Sequence, residues 1–339
     1  MTRLPALATT AIGSLPHTQL ELAVQAAFQV DVPYLPQLPR RDPGEYMVPQ
    51  ALEGLPGLSH DREGVCTVSL SDWRVGASAL QRLIGRSLAG EAALLEPTPE
   101  AYGAWPAFLW ELSARKTPIA KVHLAGPLTV THAARLSDGR ALASDAALAS
   151  QVFQLVVARA LAMVKAVAAR GAQALFFFDE PGLCGLSLGT ASHLMALQEL
   201  KVAALALRKA GAIVGLHCCG NTDWERLLPL GFEVLSIDAR LSLAPLLERE
   251  RELAVFLRGG GRLALGVVPT DLESELPSAT ALCHEIFSTL SRAGAEEVLE
   301  RALLTPACGL ALRGVPEAEV IFERLAHVRA LLAARASLT

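Results

Sequence analysis

Ala174-Leu175-Phe176-Phe177-Phe178-Asp179 is an apolar run that ends on an acid, and it follows a long helical stretch, Ala146–Arg170, closed by Gly171. A run this short, bounded by Gly on one side and by Glu180-Pro181 on the other, reads as a buried strand. The stretch before it is rich in Ala, Leu and Val, all compatible with helix, and Gly171 can take the left-handed conformation that ends one. The same order recurs in Ser192–Ala210, Gly211 and Ile213–Cys218. Alternating helix and strand is the pattern of a parallel sheet. Outward from this unit, candidate strands are Thr9–Ser14, Val32–Leu38, Ile119–Leu124, Ala174–Asp179, Ile213–Cys218, Val234–Asp238, Leu263–Val268 and Leu303–Cys308. Eight such units predict an α/β fold of the (β/α)8 TIM barrel type, with residues 1–339 forming a single catalytic barrel. One stretch, about 56–118, departs from the repeat and reads as an insertion after the second strand, with a hairpin strand at Val65–Ser71 and one or two helices.

Composition narrows the function classes. The net charge is −4 with both signs interspersed, and no basic stripe marks a nucleic-acid partner. Hydrophobic residues make up 52% of the chain, yet no stretch reaches the roughly 20 unbroken apolar residues of a membrane span. Met1-Thr2-Arg3-Leu4-Pro5 carries an early charge and no long apolar core, so no signal peptide is read. Six Cys in a chain of this length fit reduced thiols better than a disulfide framework, and the expected location is cytoplasmic.

Polar residues gather where such a fold builds its active site. Ser14, Gln37, Asp179, Glu180, His217, Cys219, Asp238 and Cys308 all fall at or just after the carboxyl end of a predicted strand. His217 and Cys219 are two apart and face the same way on a strand, and Cys308 comes from a distant strand end. One imidazole and two thiolates suit a tetrahedral Zn²⁺ with a position left for substrate. Small buried packing residues remain the other reading of the same thiols. Cys218 is out of phase and expected in the wall, and Cys66, Cys184 and Cys283 have no metal-like spacing and read as structural.

Six strings carry a resemblance. They are Ile12-Gly13-Ser14-Leu15-Pro16, Ala125-Gly126-Pro127-Leu128-Thr129, Phe178-Asp179-Glu180-Pro181, His217-x-Cys219, Ser236-Ile237-Asp238, and Cys308-Gly309-Leu310 with Arg313-Gly314-Val315-Pro316-Glu317. In this order, and across nearly the whole chain, they resemble the catalytic C-terminal barrel of cobalamin-independent methionine synthase, in the superfamily that also holds uroporphyrinogen decarboxylase. The resemblance implies a zinc-dependent methyltransferase acting on homocysteine. Zn²⁺ would be held by His217, Cys219, Asp238 and Cys308, with Asp238 one methylene shorter than the family's usual Glu. A free thiol of pKa about 8.5 is mostly protonated at neutral pH, and coordination deprotonates it. Asp179 would pair the substrate ammonium, with Glu180 a further substrate-binding candidate, and Ser14 with adjacent backbone N–H groups would hold the carboxylate. A role for the acids of Asp179-Glu180-Pro181 that only caps the following helix stays open.

Departures from the family pattern bear on the methyl donor. The family's folate-packing Trp has no counterpart in Val130-Thr131-His132-Ala133-Ala134, and its proton-donating His has none in Gly266-Val267-Val268-Pro269-Thr270. A methyl leaving N5 of folate needs protonation, whereas methylcobalamin needs no such acid. The resemblance is therefore to single-barrel "core" methionine synthases, and the expected donor is a methylcorrinoid, free or on a separate corrinoid protein. His123 and His132 are candidate substitutes for the missing acid. Trp73 is a candidate for shaping the barrel mouth, Trp105 and Trp110 are expected to pack the insertion, and Trp224 is placed on the site side. Transfer to a different thiol such as coenzyme M, and a non-catalytic zinc-dependent module that binds a corrinoid protein, are the alternatives.

Overall fold

Seven parallel strands form one curled sheet: β1 Ala8–Thr9, β2 Ile119–Ala125, β3 Gln173–Asp179, β4 Ile213–Cys218, β5 Val234–Asp238, β6 Arg262–Val268 and β7 Leu303–Pro306. Their spatial order follows the chain, from β2 through β7, with β1 beside β7. The computed structural model describes residues 4–185, 191–270 and 275–336.

The eighth expected strand, Val32–Leu38, is not a regular strand. Its segment lies across the gap between β1 and β2, where Val32 N donates to Thr9 O (2.9 Å), Leu35 N to Lys121 O (2.9 Å) and Lys121 N to Pro33 O (2.7 Å). Two isolated bridges, Tyr34 with Lys121 and Ser14 with Gln37, complete the pairing. The sequence contains the reason. Pro33 and Pro36 have no N–H, so a continuous ladder cannot form along this segment. The arrangement is consistent with a TIM-like barrel in which seven positions are strands and one is irregular.

Inside the curl lies a separate apolar plug of Leu4, Ala8, Val32, Ile119, Leu175, Phe177, Val234, Ala264 and Leu303. Each large side chain buried there is worth about 1.5–3 kcal/mol. Above the plug, Lys121 is fully buried, with Nζ 4.9 Å from the Phe177 ring centroid and donating to the Ile12 carbonyl. The larger core lies under the helices. The helix Ala146–Ala169 is long and apolar enough by length and composition to cross a membrane, yet 61% of its apolar window is buried, including Val152, Leu155, Val156, Met163 and Val167. Gly171 (φ +82°) and Gly211 (φ +93°) sit in the left-handed region just past their helices, as the sequence predicts.

Within 56–118, Leu58–His60 and Cys66–Val68 form an antiparallel hairpin, followed by helices Leu70–Leu88 and Trp105–Ala114. The hairpin strand stops at Val68 because Ser69 caps the next helix, its Oγ accepting from Asp72 N (3.4 Å). Trp73 and Trp105 are buried, with indole N–H groups on Gln151 (2.7 Å) and Glu96 (3.0 Å). Trp110 is 66% exposed, so it does not pack the insertion as expected.

Candidate metal and substrate site

Register sets the site. Asp179 on β3 stands opposite His217 on β4, and His217 stands opposite Ser236 on β5, so three side chains share one level at the strands' carboxyl ends. All three are buried. Cys219 follows β4 by one residue and Cys308 follows β7 by two. The ligand atoms of His217, Cys219 and Cys308 lie within 4.8 Å of one another.

The donor set suits a soft divalent cation. His217 Nδ1 meets Ser236 Oγ at 3.0 Å, while Nε2 is buried with no hydrogen-bond partner. An unpartnered buried nitrogen is costly unless something binds it. With Nδ1 protonated and donating to Ser236, Nε2 presents a lone pair, the arrangement of a metal-binding imidazole. Cys184, and after it Cys308, push the Cys219 thiol up, while Cys219 pulls the Cys308 thiol down against its burial.

Asp238 is not part of this group. Its Oδ1 accepts from Arg240 N (2.9 Å) and Leu241 N (3.3 Å), capping the helix Ala239–Leu247. An acid at a strand end that starts a helix satisfies orphan backbone donors.

Asp179 is held from behind. His123 Nε2 donates to the Leu35 carbonyl (3.1 Å), and Nδ1 lies 2.9 Å from Asp179 Oδ2. The Leu35 carbonyl can only accept, so Nε2 carries a proton, and the other ring nitrogen holds the Asp179 carboxyl at Oδ2. Burial alone would raise the Asp179 carboxyl. His123, with Lys121 and His217 beyond, outweighs that and holds it below its ordinary value. Burial pushes Lys121 down to about 8, partly offset by Asp179. Asp179 Oδ1 remains buried and unpartnered. His123 is thus engaged as the partner of Asp179, and His132 bonds the Leu128 carbonyl through Nδ1 (2.9 Å).

Glu180 does not line the cavity. Oε1 accepts from Leu128 N (3.1 Å), and Oε2 accepts from Thr129 N (2.7 Å) and Thr129 Oγ1 (2.6 Å). It caps the neighbouring helix Pro127–Ala133, and a Cβ on Gly126 would stand 2.0 Å from Oε1. Glu180 is thus a capping acid, but of this neighbouring helix and not of the helix that follows it in the chain. Burial raises its carboxyl to about 7, against the lowering bonds from Thr129 and Leu128. A carboxyl raised in the fold contributes stability at acid pH that is lost as pH rises through about 7. Urea midpoints of the wild type are expected to fall between pH 5 and 8, and Glu180→Gln to flatten that fall.

A cavity of about 260 Å³ opens over these groups. Its polar lining is Ser14, Gln37, Glu45, Asp179, His217, Cys219 and Cys308, and Ile12, Pro39, Met47, Pro181 and Leu312 are among its apolar walls. Ser14 Oγ accepts from Ala311 N at 3.4 Å, which ties the first loop to the Cys308 segment. Trp224 is buried with its indole on Asn221 Oδ1 (2.9 Å) and does not line the cavity, so it packs. Cys66 and Cys283 are buried, as expected. Cys184 is exposed, with its sulfur 3.4 Å from that of Cys218. Sequence reading missed Ser236 as the partner of His217, Lys121 beneath the site, and Glu45, Tyr46, Met47 and Leu312 on its walls. Only Ser236 carried a signal, lying two residues before the acid at the end of β5.

A family profile described as "Cobalamin-independent synthase, Catalytic domain" matches residues 110–330, well over half of the 339-residue chain. The matched span holds Asp179, His217, Cys219, Asp238 and Cys308, whereas Ser14, Gln37 and Glu45 lie before it. A comparison with curated proteins finds no match.

Proposed function

The chain belongs to the family of cobalamin-independent synthase catalytic domains, and from that premise we propose that it is a methyltransferase that methylates the thiol of homocysteine at a zinc site. The observation that carries this reading is the convergence of His217, Cys219 and Cys308 on one point, with His217 Nε2 buried and otherwise unbound. Zinc held there would supply Lewis acidity, so that an incoming thiol reacts as a thiolate at neutral pH.

The protein's own residues supply the rest. His217, Cys219 and Cys308 are the metal donors, and Ser236 fixes the His217 tautomer through Nδ1. Asp179 offers Oδ1 to the substrate ammonium, while His123 keeps that carboxylate ionised and oriented. Ser14 and the backbone around it receive the substrate carboxylate. The apolar walls at Ile12, Met47 and Leu312 exclude water from the sulfur and suit the methylene chain of the amino acid. Asp238 is left out of the ligand set, because its cap already engages Oδ1.

The two lines that bear on the donor diverge. The family description reads cobalamin-independent, which counts against the corrinoid donor expected from the sequence. The missing Trp and His count against folate. Assays with both donors side by side separate the two.

Binding tests the acceptor. L-Homocysteine is expected to bind the zinc-loaded protein, and neither the chelator-stripped protein nor homoserine as ligand should give binding. Equal affinity for homoserine would sink the thiol–metal contact. Ser236→Ala is expected to weaken zinc binding about 10–100-fold, since it removes the group that orients His217. Competition with a calibrated chelator measures it.

A further inference from the structure

Lys121 is a cation enclosed in the barrel. It extends from β2 into the interior above the apolar plug and is buried. Taking an ammonium out of water is costly unless other groups compensate it. Nζ donates to the Ile12 carbonyl and stands 4.9 Å from the Phe177 ring centroid. The acid whose field reaches it, Asp179, is bonded to His123 instead. One carbonyl and a ring face compensate a full charge poorly, and an apolar side chain of similar length would fill the space at lower cost. Packing therefore does not account for a lysine here.

The bond to Ile12 has a directional consequence. In a trans peptide the C=O and the N–H of the next residue point opposite ways, and no cis peptide occurs among the described residues. With the Ile12 carbonyl held on Lys121, the Gly13 N–H points away from the lysine. Neither it nor the Ser14 N–H has an acceptor among the described residues. Gly13 itself lies against the His123 ring, where a Cβ would stand 2.1 Å away. Two residues on one face of β2 thus fix this loop, Lys121 by the Ile12 carbonyl and His123 against Gly13. Ile12 and Ser14 line the cavity. Successive open N–H groups make a concavity that suits an anion.

We propose that Lys121 is a positioning residue for carboxylate recognition, holding the Gly13 and Ser14 N–H groups toward the carboxylate of the acceptor thiol through the Ile12 carbonyl. This deepens the homocysteine reading above and rests on it. Lys121 does not touch the substrate, since its ammonium is spent on the loop. In the low dielectric of the barrel interior its charge also adds to the attraction for the carboxylate. Asp179 takes the ammonium directly, so the two ends of the amino acid are read by separate groups.

Calorimetric binding of three thiols to the zinc-loaded full chain tests the role. They are homocysteine, mercaptobutyrate, which lacks the ammonium, and aminopropanethiol, which lacks the carboxylate. Lys121→Met is expected to weaken homocysteine and mercaptobutyrate about 10–100-fold and to leave aminopropanethiol within about twofold. Zinc content should stay at one equivalent. Lys121→Arg keeps a cation with N–H donors and should retain the preference for homocysteine over aminopropanethiol. Equal loss of all three thiols in Lys121→Met, no loss of the two carboxylates, or a chain that does not fold would make Lys121 a structural residue and overturn the proposal. Loss of the preference in Lys121→Arg would overturn it as well. A wild type that binds none of the three thiols would instead overturn the homocysteine reading, and this inference with it.

Discussion

Cys308→Ser is expected to strip the protein of zinc and of methyl transfer together. Cys308 is one of three donors brought within 4.8 Å, so its loss leaves one imidazole and one thiolate from that group. A serine hydroxyl stays protonated at neutral pH and is a poor replacement for a soft thiolate. Altering a residue that merely orients a ligand already costs 10–100-fold in affinity, so losing a ligand should cost more than about 100-fold. Zinc content after dialysis is expected below about a tenth of an equivalent. Cys308 is only half-buried and serine is nearly isosteric, so stability of the metal-free protein should move by less than about 0.5 kcal/mol. Metal analysis and a denaturant melt on the same sample separate ligand loss from misfolding. Full zinc in this variant would show that the donor set is wrong.

Asp179→Asn is expected to spare the metal and damage substrate binding. The carboxylate faces the cavity through Oδ1 and carries the buried His123 on Oδ2. Hydrogen bonds to charged groups are worth about 1.5–3 kcal/mol, which corresponds to a KM for homocysteine raised roughly 10- to 150-fold. The change also leaves His123 and Lys121 without their counter-charge. Stability should fall by about 1–3 kcal/mol, the cost of leaving a buried polar partner unsatisfied. Zinc content should stay at one equivalent. Loss of zinc in Asp179→Asn would move Asp179 into the ligand set, and an unchanged KM would remove it from substrate recognition.

Much of the fold and of the candidate site is legible in the sequence. The strands at Ile213–Cys218 and Val234–Asp238 fall where the apolar runs predict them, and Gly171 and Gly211 close helices as a C′ glycine does. His217, Cys219 and Cys308 converge as spacing and strand ends suggest. What could not be read depends on contacts between distant segments. Val32–Leu38 is the exception, because Pro33 and Pro36 already signal a broken ladder there, of which two bridges remain. Glu180 looks like a site acid because it adjoins Asp179. Strand alternation turns it to the other side, against the helix that begins at Pro127. Asp238 matches a ligand position in sequence, yet its short side chain folds back onto its own helix. Cys184 has no metal-like spacing in the sequence, because its approach to Cys218 exists only between two separate segments of the chain.

The most direct measurement is the fate of the methyl group. Zinc-loaded protein is incubated with homocysteine and an isotopically labelled methyl donor, methyltetrahydrofolate in one arm and methylcobalamin in the other, with chelator-stripped protein as control. Labelled methionine formed in at least one arm, and lost on removal of zinc, is the predicted result. Methionine formed equally without zinc, or none from either donor in a protein that holds zinc and binds homocysteine, would contradict it.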